Sequence, residues 1–201
     1  MSVAEATRSR ILDAALDCFA DHSFAGATTR EIAAAAGVSQ PSLNYHFHSK
    51  DELWRAAVTG LFERLDVALR DRLDGLRGVD DAITIAKLLL REFITFSATN
   101  PQLHRIITQE SKAEGERFEW LIDQHIRPIY DATTTMFRDL SELGVVADIP
   151  APFLYYILTG AGPTIFVLAP ECRRLGGFDP LSPENIELHA DAVIGLLFGS
   201  N

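Results

Sequence analysis

Apolar positions recur at helical spacing in one segment after another, and this pattern predicts an all-α fold. Ile11, Leu12, Ala15, Leu16 and Phe19 place a first helix over residues 6–21. Two short helices follow over 28–35 and 39–45, with Ile32, Ala33, Val38, Leu43 and Phe47 on one apolar side. Leu53, Leu61, Phe62, Leu65 and Leu69 carry a longer helix from Ser49 to residue 72. Residues 73–80, LDGLRGVD, interrupt the pattern with two glycines and acidic residues. A further helix is expected over 81–98. Asn100-Pro101 ends it and opens a short helix to residue 112, and Glu114-Gly115 is the next break. Residues 116–143 form a long helical pattern that Pro128 should bend, because proline removes a donor and clashes with the preceding turn. Residues 171–181 are expected to be a loop, and Ser182-Pro183-Glu184 opens the last helix.

The chain is organised around residues 28–49, TTREIAAAAGVSQPSLNYHFHS. Thr28 and Glu31 have capping-box spacing, as do Ser49 and Glu52. Ser39 can cap the helix that carries Pro41 in its first turn. Gly37 lies between the two short helices, where a left-handed backbone is cheap. The second short helix is anchored by Leu43 and presents Gln40, Ser42, Asn44 and Tyr45 outward. It resembles the recognition helix of a helix-turn-helix DNA-binding unit. The amides of Gln40 and Asn44 can pair with base edges, and Ser42 can meet a base or a phosphate. Tyr45 and His46 stand where a DNA backbone should pass; helix termination or packing is the other reading of His46. Lys50 opens the next helix, where the dipole does not favour a cation; a nearby phosphate or simple solvation accounts for it. Arg8 and Arg10 could reach a phosphate or remain solvated surface charge. Phe24 is expected to plug the core of the three-helix unit.

At 201 residues the chain can bury a substantial core, and 47% hydrophobic with 23% charged residues argues against disorder. The net charge of −10 stands against a nucleic-acid partner until it is located. Residues 1–50 carry Arg8, Arg10, Arg30 and Lys50 against Glu5, Asp13, Asp17, Asp21 and Glu31, a net of −1, so the remainder carries −9. Cys18 and Cys172 make no disulfide framework, and Cys18 reads as a buried thiol. No secretory or lipidation signal is visible, which predicts a cytoplasmic protein. His22, His46 and His48 lack zinc spacing, so neither metal nor cofactor is expected. The uncharged run 151–170 approaches membrane-spanning length, but Gly160, Gly162 and Pro163 interrupt it. A buried, dimer-facing helix is expected instead, with no membrane partner.

The segment RILDAALDCFADHSFAGATTREIAAAAGVSQPSLNYHFHSKDEL resembles the DNA-binding region of the TetR/AcrR family of bacterial transcriptional regulators. Phe19-Ala20, Thr28-Thr29, Ile32-Ala33, Ala36-Gly37-Val38-Ser39, Tyr45-His46-Phe47, Ser49-Lys50 and Leu53 carry the likeness, over residues 8–55. One departure is the loop Phe24-Ala25-Gly26, where the family usually has a glycine nearer the loop start. The resemblance implies a helix-turn-helix unit over 1–52 and a larger helical ligand-binding and dimerisation domain over 53–201. It also implies a homodimer formed through 151–169 and 183–198, and a repressor released from a near-palindromic operator by a small molecule. Composition alone would leave those last two helices as internal core. The resemblance implies phosphate contacts for Thr29, Tyr45, His46 and Lys50. The full candidate DNA-contacting set is Thr28, Thr29, Gln40, Ser42, Asn44, Tyr45, His46 and Lys50. Polar residues within apolar patterns of the larger domain nominate His104, Arg105, Glu110, Trp120, His125, Tyr155, Tyr156 and Thr159 for a ligand pocket. Two further readings stay open: an activator or co-repressor-dependent regulator, and, of another class, a helical enzyme or an interaction protein that binds no DNA. No GxSxG, HExxH, P-loop or dinucleotide fingerprint supports catalysis.

Overall fold

A computed structural model describes residues 3–199, so the outermost two residues of each expected domain lie outside it. The described residues are helical, without strands. Helix α1 (Val3–Gly26) is followed by α2 (Thr29–Ala35), α3 (Gln40–His46) and the long α4 (Lys50–Asp74). Then come α5 (Ala82–Thr99), α6 (Gln102–Ala113), α7 (Glu116–Leu121) and α8 (Arg127–Glu142). The chain closes with α9 (Ala151–Val167), α10 (Ala169–Gly176) and α11 (Pro183–Phe198).

The local chemistry that starts the short helices is in place. The Thr28 hydroxyl accepts from the Glu31 amide at 3.2 Å, and the Glu31 carboxylate accepts from the Thr28 amide at 3.1 Å. Ser39 caps α3 by accepting from the Ser42 amide, and Gly37 takes φ 65° between α2 and α3. At α4 the Ser49 hydroxyl accepts from the Glu52 amide at 3.0 Å, but the Glu52 carboxylate reaches one residue further back, to the His48 amide at 2.8 Å. The expected reciprocal box is therefore shifted by one position.

The span of α1 extends past the expected 6–21 into the link that holds Phe24, but Ser23 breaks it: its φ of 60° and ψ of 171° are non-helical and kink the chain between two helical pieces, close to the expected end. This is a region of backbone space that glycine favours, and it costs another residue about 1–3 kcal/mol. Ser23 thus stands at the start of the loop, where the resemblance places a glycine. Pro128 acts differently from a simple kink. Residues Ile122–Ile126 form a π-helical turn between α7 and α8, and Pro128 sits in the first turn of α8. The wider turn absorbs the missing proline donor without breaking the helical path.

The expected loop over 171–181 is corrected by α10, which continues after a 72° bend from α9. Pro170 is in the first turn of α10 and Gly177, at φ 70°, closes it. No single described helix is long and apolar enough to cross a membrane.

One core runs from α1, α2 and α3 along α4 to Phe96, Leu103, Ile106 and Leu121. A second lies among α5, α8, α9 and α11, around Ile94, Phe137, Leu158, Phe166 and Ala190. Gly162 belongs to this internal packing: a Cβ there would meet Ile94 at 3.4 Å. His189 on α11 fastens α9 by approaching the carbonyls of Ala161 at 3.1 Å and Gly162 at 3.0 Å.

Candidate nucleic-acid interface and internal cavity

Helix α3 is held from below by Leu43 and Phe47, 1% and 2% exposed. Its other side is open: Asn44 is exposed, and Tyr45 is 80% exposed although it is a large aromatic. Gln40 does not simply point outward. Its amide donates to the Thr29 hydroxyl at 3.0 Å and to the Asn44 side-chain oxygen at 3.3 Å, so it fixes α3 to α2 and orients Asn44. The Thr28 hydroxyl is occupied by the α2 cap, donating to Glu31 at 2.7 Å. Tyr45 and His46 rings meet edge to face at 5.3 Å. Ser42 and His46 are half-buried on the same short helix. The Lys50 ammonium lies 4.6 Å from the centre of the Phe24 ring, at the start of α4. Arg8 covers the Phe47 ring at 5.2 Å, next to the end of α3.

The electrostatics of this unit are clearer in three dimensions than in the sequence sum. Three of its acids lie on α1 and face the rest of the molecule. Asp13 pairs with Arg64 at 3.0 Å, Asp21 with Arg105 at 2.8 Å, and Asp17 accepts from Gln102 at 2.6 Å. Glu31 is engaged with Thr28, whose hydrogen bonds hold its pKa below the ordinary carboxylate value. Arg8, Arg10 and Arg30 remain exposed. A near-neutral sum thus separates into partnered acids toward the larger domain and cations toward solvent, the arrangement a phosphate backbone requires.

The larger domain contains two adjoining cavities, a first lobe of about 530 Å³ and a second of about 520 Å³. Leu65, Phe93, Ile129, Tyr155 and Thr159 border both. The first lobe lies among α4, α5, α8 and α9 and is lined by Leu69, Ala86, Leu89, Leu90, Met136 and Leu158. The second reaches α6 and the π-helical turn, with Ser97, Leu103, His104, Ile107, Phe118, Ile122 and Tyr130 on its wall. Burial raises the Tyr155 pKa to about 12 and lowers that of His104, so both are neutral near pH 7.

Of the residues nominated for a pocket, His104, Tyr155, Tyr156 and Thr159 border this cavity. Arg105 faces a shallow groove beside α1, in its pair with Asp21. Glu110 is buried and paired with Arg117 at 3.2 Å. Trp120 and His125 lie in an aromatic row instead. Trp54 meets Trp120 at 5.5 Å, Trp120 meets His125 at 4.9 Å, and His125 stacks on Phe62 at 4.7 Å. His125 also contacts the Thr59 hydroxyl at 3.3 Å, and burial lowers its pKa. The sequence reading missed Arg117, Phe93, Ser111 and, within the π-helical turn, Ile122 and Ile126. A charged pair across the Glu114-Gly115 break was the one signal available for Arg117.

The description "Bacterial regulatory proteins, tetR family" matches residues 11–57, which span α1 through the first turns of α4. The chain is 29% identical over 178 residues to the HTH-type transcriptional repressor SCO4008 of Streptomyces coelicolor, covering 87% of this chain and 86% of that protein. Among solved structures, the ketosteroid transcriptional regulator KstR2 of Mycobacterium tuberculosis superposes with a TM-score of 0.72 at 20% identity, over 96% and 95% of the two chains. AibR in complex with isovaleryl coenzyme A and operator DNA superposes with a TM-score of 0.71 at 19% identity, over 97% and 100%. At these identities the two superpositions establish the fold. Together with the N-terminal match and the repressor relative, the capped α2–α3–α4 unit identifies residues 11–57 as a DNA-binding region of the kind found in the tetR family of bacterial regulatory proteins.

Proposed function

We propose that this chain is a homodimeric, ligand-responsive transcriptional repressor, with residues 1–52 as the DNA-reading unit and 53–201 as the effector and dimer domain. The observation that carries this reading is the open polar side of α3, with Tyr45 80% exposed over a core sealed by Leu43 and Phe47. A large aromatic left in water on a rigid, capped helix fits a surface made to be covered. In this reading Asn44 meets a base edge, with Gln40 orienting it, and Ser42, Tyr45, His46 and Lys50 fix the backbone. Thr29, and Thr28 through its cap, hold the start of α2 beside it.

The dimer surface is assigned to α9 and α11. Phe153 is 64% exposed, Leu188 58% and Leu196 71%, an apolar set with no cover in the protomer. A Cβ on Gly195 would meet nothing within 4 Å, leaving room for a second copy of the same pair. A twofold dimer then places two copies of α3 one helical turn apart on DNA and calls for a near-palindromic operator. The apolar lining of the two lobes supports a mainly apolar effector, and the likeness to a regulator named for ketosteroids agrees with it.

Sedimentation of the protein and of Leu196→Glu, followed by titration of an operator duplex, tests the assignment. The dimer should bind the duplex with high affinity, and the variant should be monomeric and bind at least tenfold more weakly. A dimeric Leu196→Glu protein would remove the assigned interface.

A further inference from the structure

The cavity has a chemical polarity along its length that narrows what can occupy it. Beyond Tyr155 and Thr159, which it shares with the second, the first lobe offers few hydrogen-bonding groups to an occupant: Thr133 is half-buried, and Thr135 and Asp139 are exposed at its edge. In the second lobe the hydroxyls are already engaged. Ser97 donates to the Phe93 carbonyl at 2.8 Å, Ser111 to Ile107 at 2.7 Å, and Thr159 to Tyr155 at 3.0 Å. The Tyr155 and Tyr130 hydroxyls and the His104 ring make no hydrogen bond among the described residues. The two tyrosine rings meet edge to face at 4.9 Å; Tyr130 and His104 line the second lobe alone, and Tyr155 stands where the two lobes adjoin.

Charge is excluded more sharply. The one permanent cation on either wall is Arg127. Its side chain is 60% exposed and it lies 3.6 Å from Asp123. A carboxylate drawn in beside Tyr155 would lose its water with no buried cation to meet it, a costly transfer. A hydroxyl, ketone or ester oxygen would lose far less and could pair with the free phenols or the neutral imidazole.

We infer that the effector is an uncharged, elongated, mainly aliphatic molecule with one hydrogen-bonding oxygen, its head beside Tyr155 and His104 and its tail in the lobe lined by Ala86 and Leu90. This deepens the regulator reading and rests on it for the word effector. The two fail separately, because binding is measured here without DNA.

The test uses the full-length protein and displacement of the neutral dye Nile red, with tryptophan emission as a second readout. The ligands are 1-decanol, methyl decanoate, decanoate at mildly alkaline pH, and methyl esters from hexanoate to tetradecanoate. Affinity should rise about three- to fourfold per methylene until both lobes are filled. Methyl decanoate should bind at least about tenfold more tightly than decanoate. Tyr155→Phe should weaken decanol and the ester about three- to tenfold, with an unchanged far-ultraviolet circular dichroism spectrum as the check that it folds. Ala132→Trp places bulk at an exposed edge of the first lobe. It should lower the chain length at which affinity levels off and spare the hexanoate ester. Equal or tighter binding of decanoate would overturn the inference. So would an affinity independent of chain length, an unchanged profile in Ala132→Trp, or no binding of any of these ligands.

Discussion

The Arg117 guanidinium lies 3.7 Å from the centre of the Phe24 ring. Arg117 belongs to α7 and is held by the buried carboxylate of Glu110, whereas Phe24 belongs to the link that leads into α2. The same ring carries Lys50 at 4.6 Å, so one aromatic side chain joins the larger domain to the start of α4. Ser111 and Phe118, neighbours of Glu110 and Arg117 in the chain, border the cavity. An occupant that shifts either one bears on the grip that Arg117 has on Phe24.

Removing that grip should loosen the coupling between the sites more than either affinity. Arg117→Met and Phe24→Leu should each reduce the effector's weakening of DNA binding by about 0.5–2 kcal/mol, the worth of a cation–π contact. The double variant should lose no more than the larger single loss. Titrating DNA with and without effector on all four proteins measures this, and additive losses would show that the residues act separately.

Ser23 yields a stability prediction. Its φ of 60° with ψ of 171° suits glycine, so Ser23→Gly should raise the unfolding free energy by about 1 kcal/mol or more, with DNA affinity retained. Urea denaturation compares the two. A destabilised variant would mean that the serine side chain outweighs the backbone cost.

Asn44 and Lys50 should separate in their effects on DNA. Asn44→Ala should relax preference at one operator position, worth about 1–3 kcal/mol. Lys50→Ala should weaken all duplexes alike and lower the salt slope by about one. Titrations of several duplexes over a range of salt distinguish the two patterns.

Much of the N-terminal unit was legible in the sequence because its signals are local. A hydroxyl and a carboxylate three residues apart specify where α2 begins, and Gly37 specifies the turn. The cavity was less legible because helical periodicity marks an apolar face without saying whether it meets another helix or empty space. Leu65 and Leu90 look alike in sequence to residues of solid core. Trp120 and His125 show the reverse: polar tips on an apolar pattern suggested a pocket, yet their partners are Trp54, Thr59 and Phe62, far away in the chain. Helix α10 escaped notice because Pro170 and the glycines at 176 and 177 read as loop residues, although proline opens a helix and glycine closes one.

Two half-buried histidines give the protein a pH dependence. Burial lowers the folded pKa of both His104 and His125 from the ordinary value of 6.5. The unfolded chain therefore takes up protons first as pH falls. The stability contribution is complete above about 6.5 and declines as pH drops from there through the lower folded values. Urea midpoints between pH 8 and 5 should fall over this window, and His125→Gln should flatten part of the decline. A midpoint that rises on acidification would contradict the burial of these rings.

The central claim is that α3 reads duplex DNA in a paired molecule, and sequencing the source-genome fragments that the protein retains tests it most directly. Retention at about physiological salt should enrich a few sites with twofold-related halves one helical turn apart. An Asn44→Ala, Tyr45→Ala protein should lose that enrichment while remaining folded. Fragments retained without sequence preference, or the same sites enriched equally by the double variant, would contradict it.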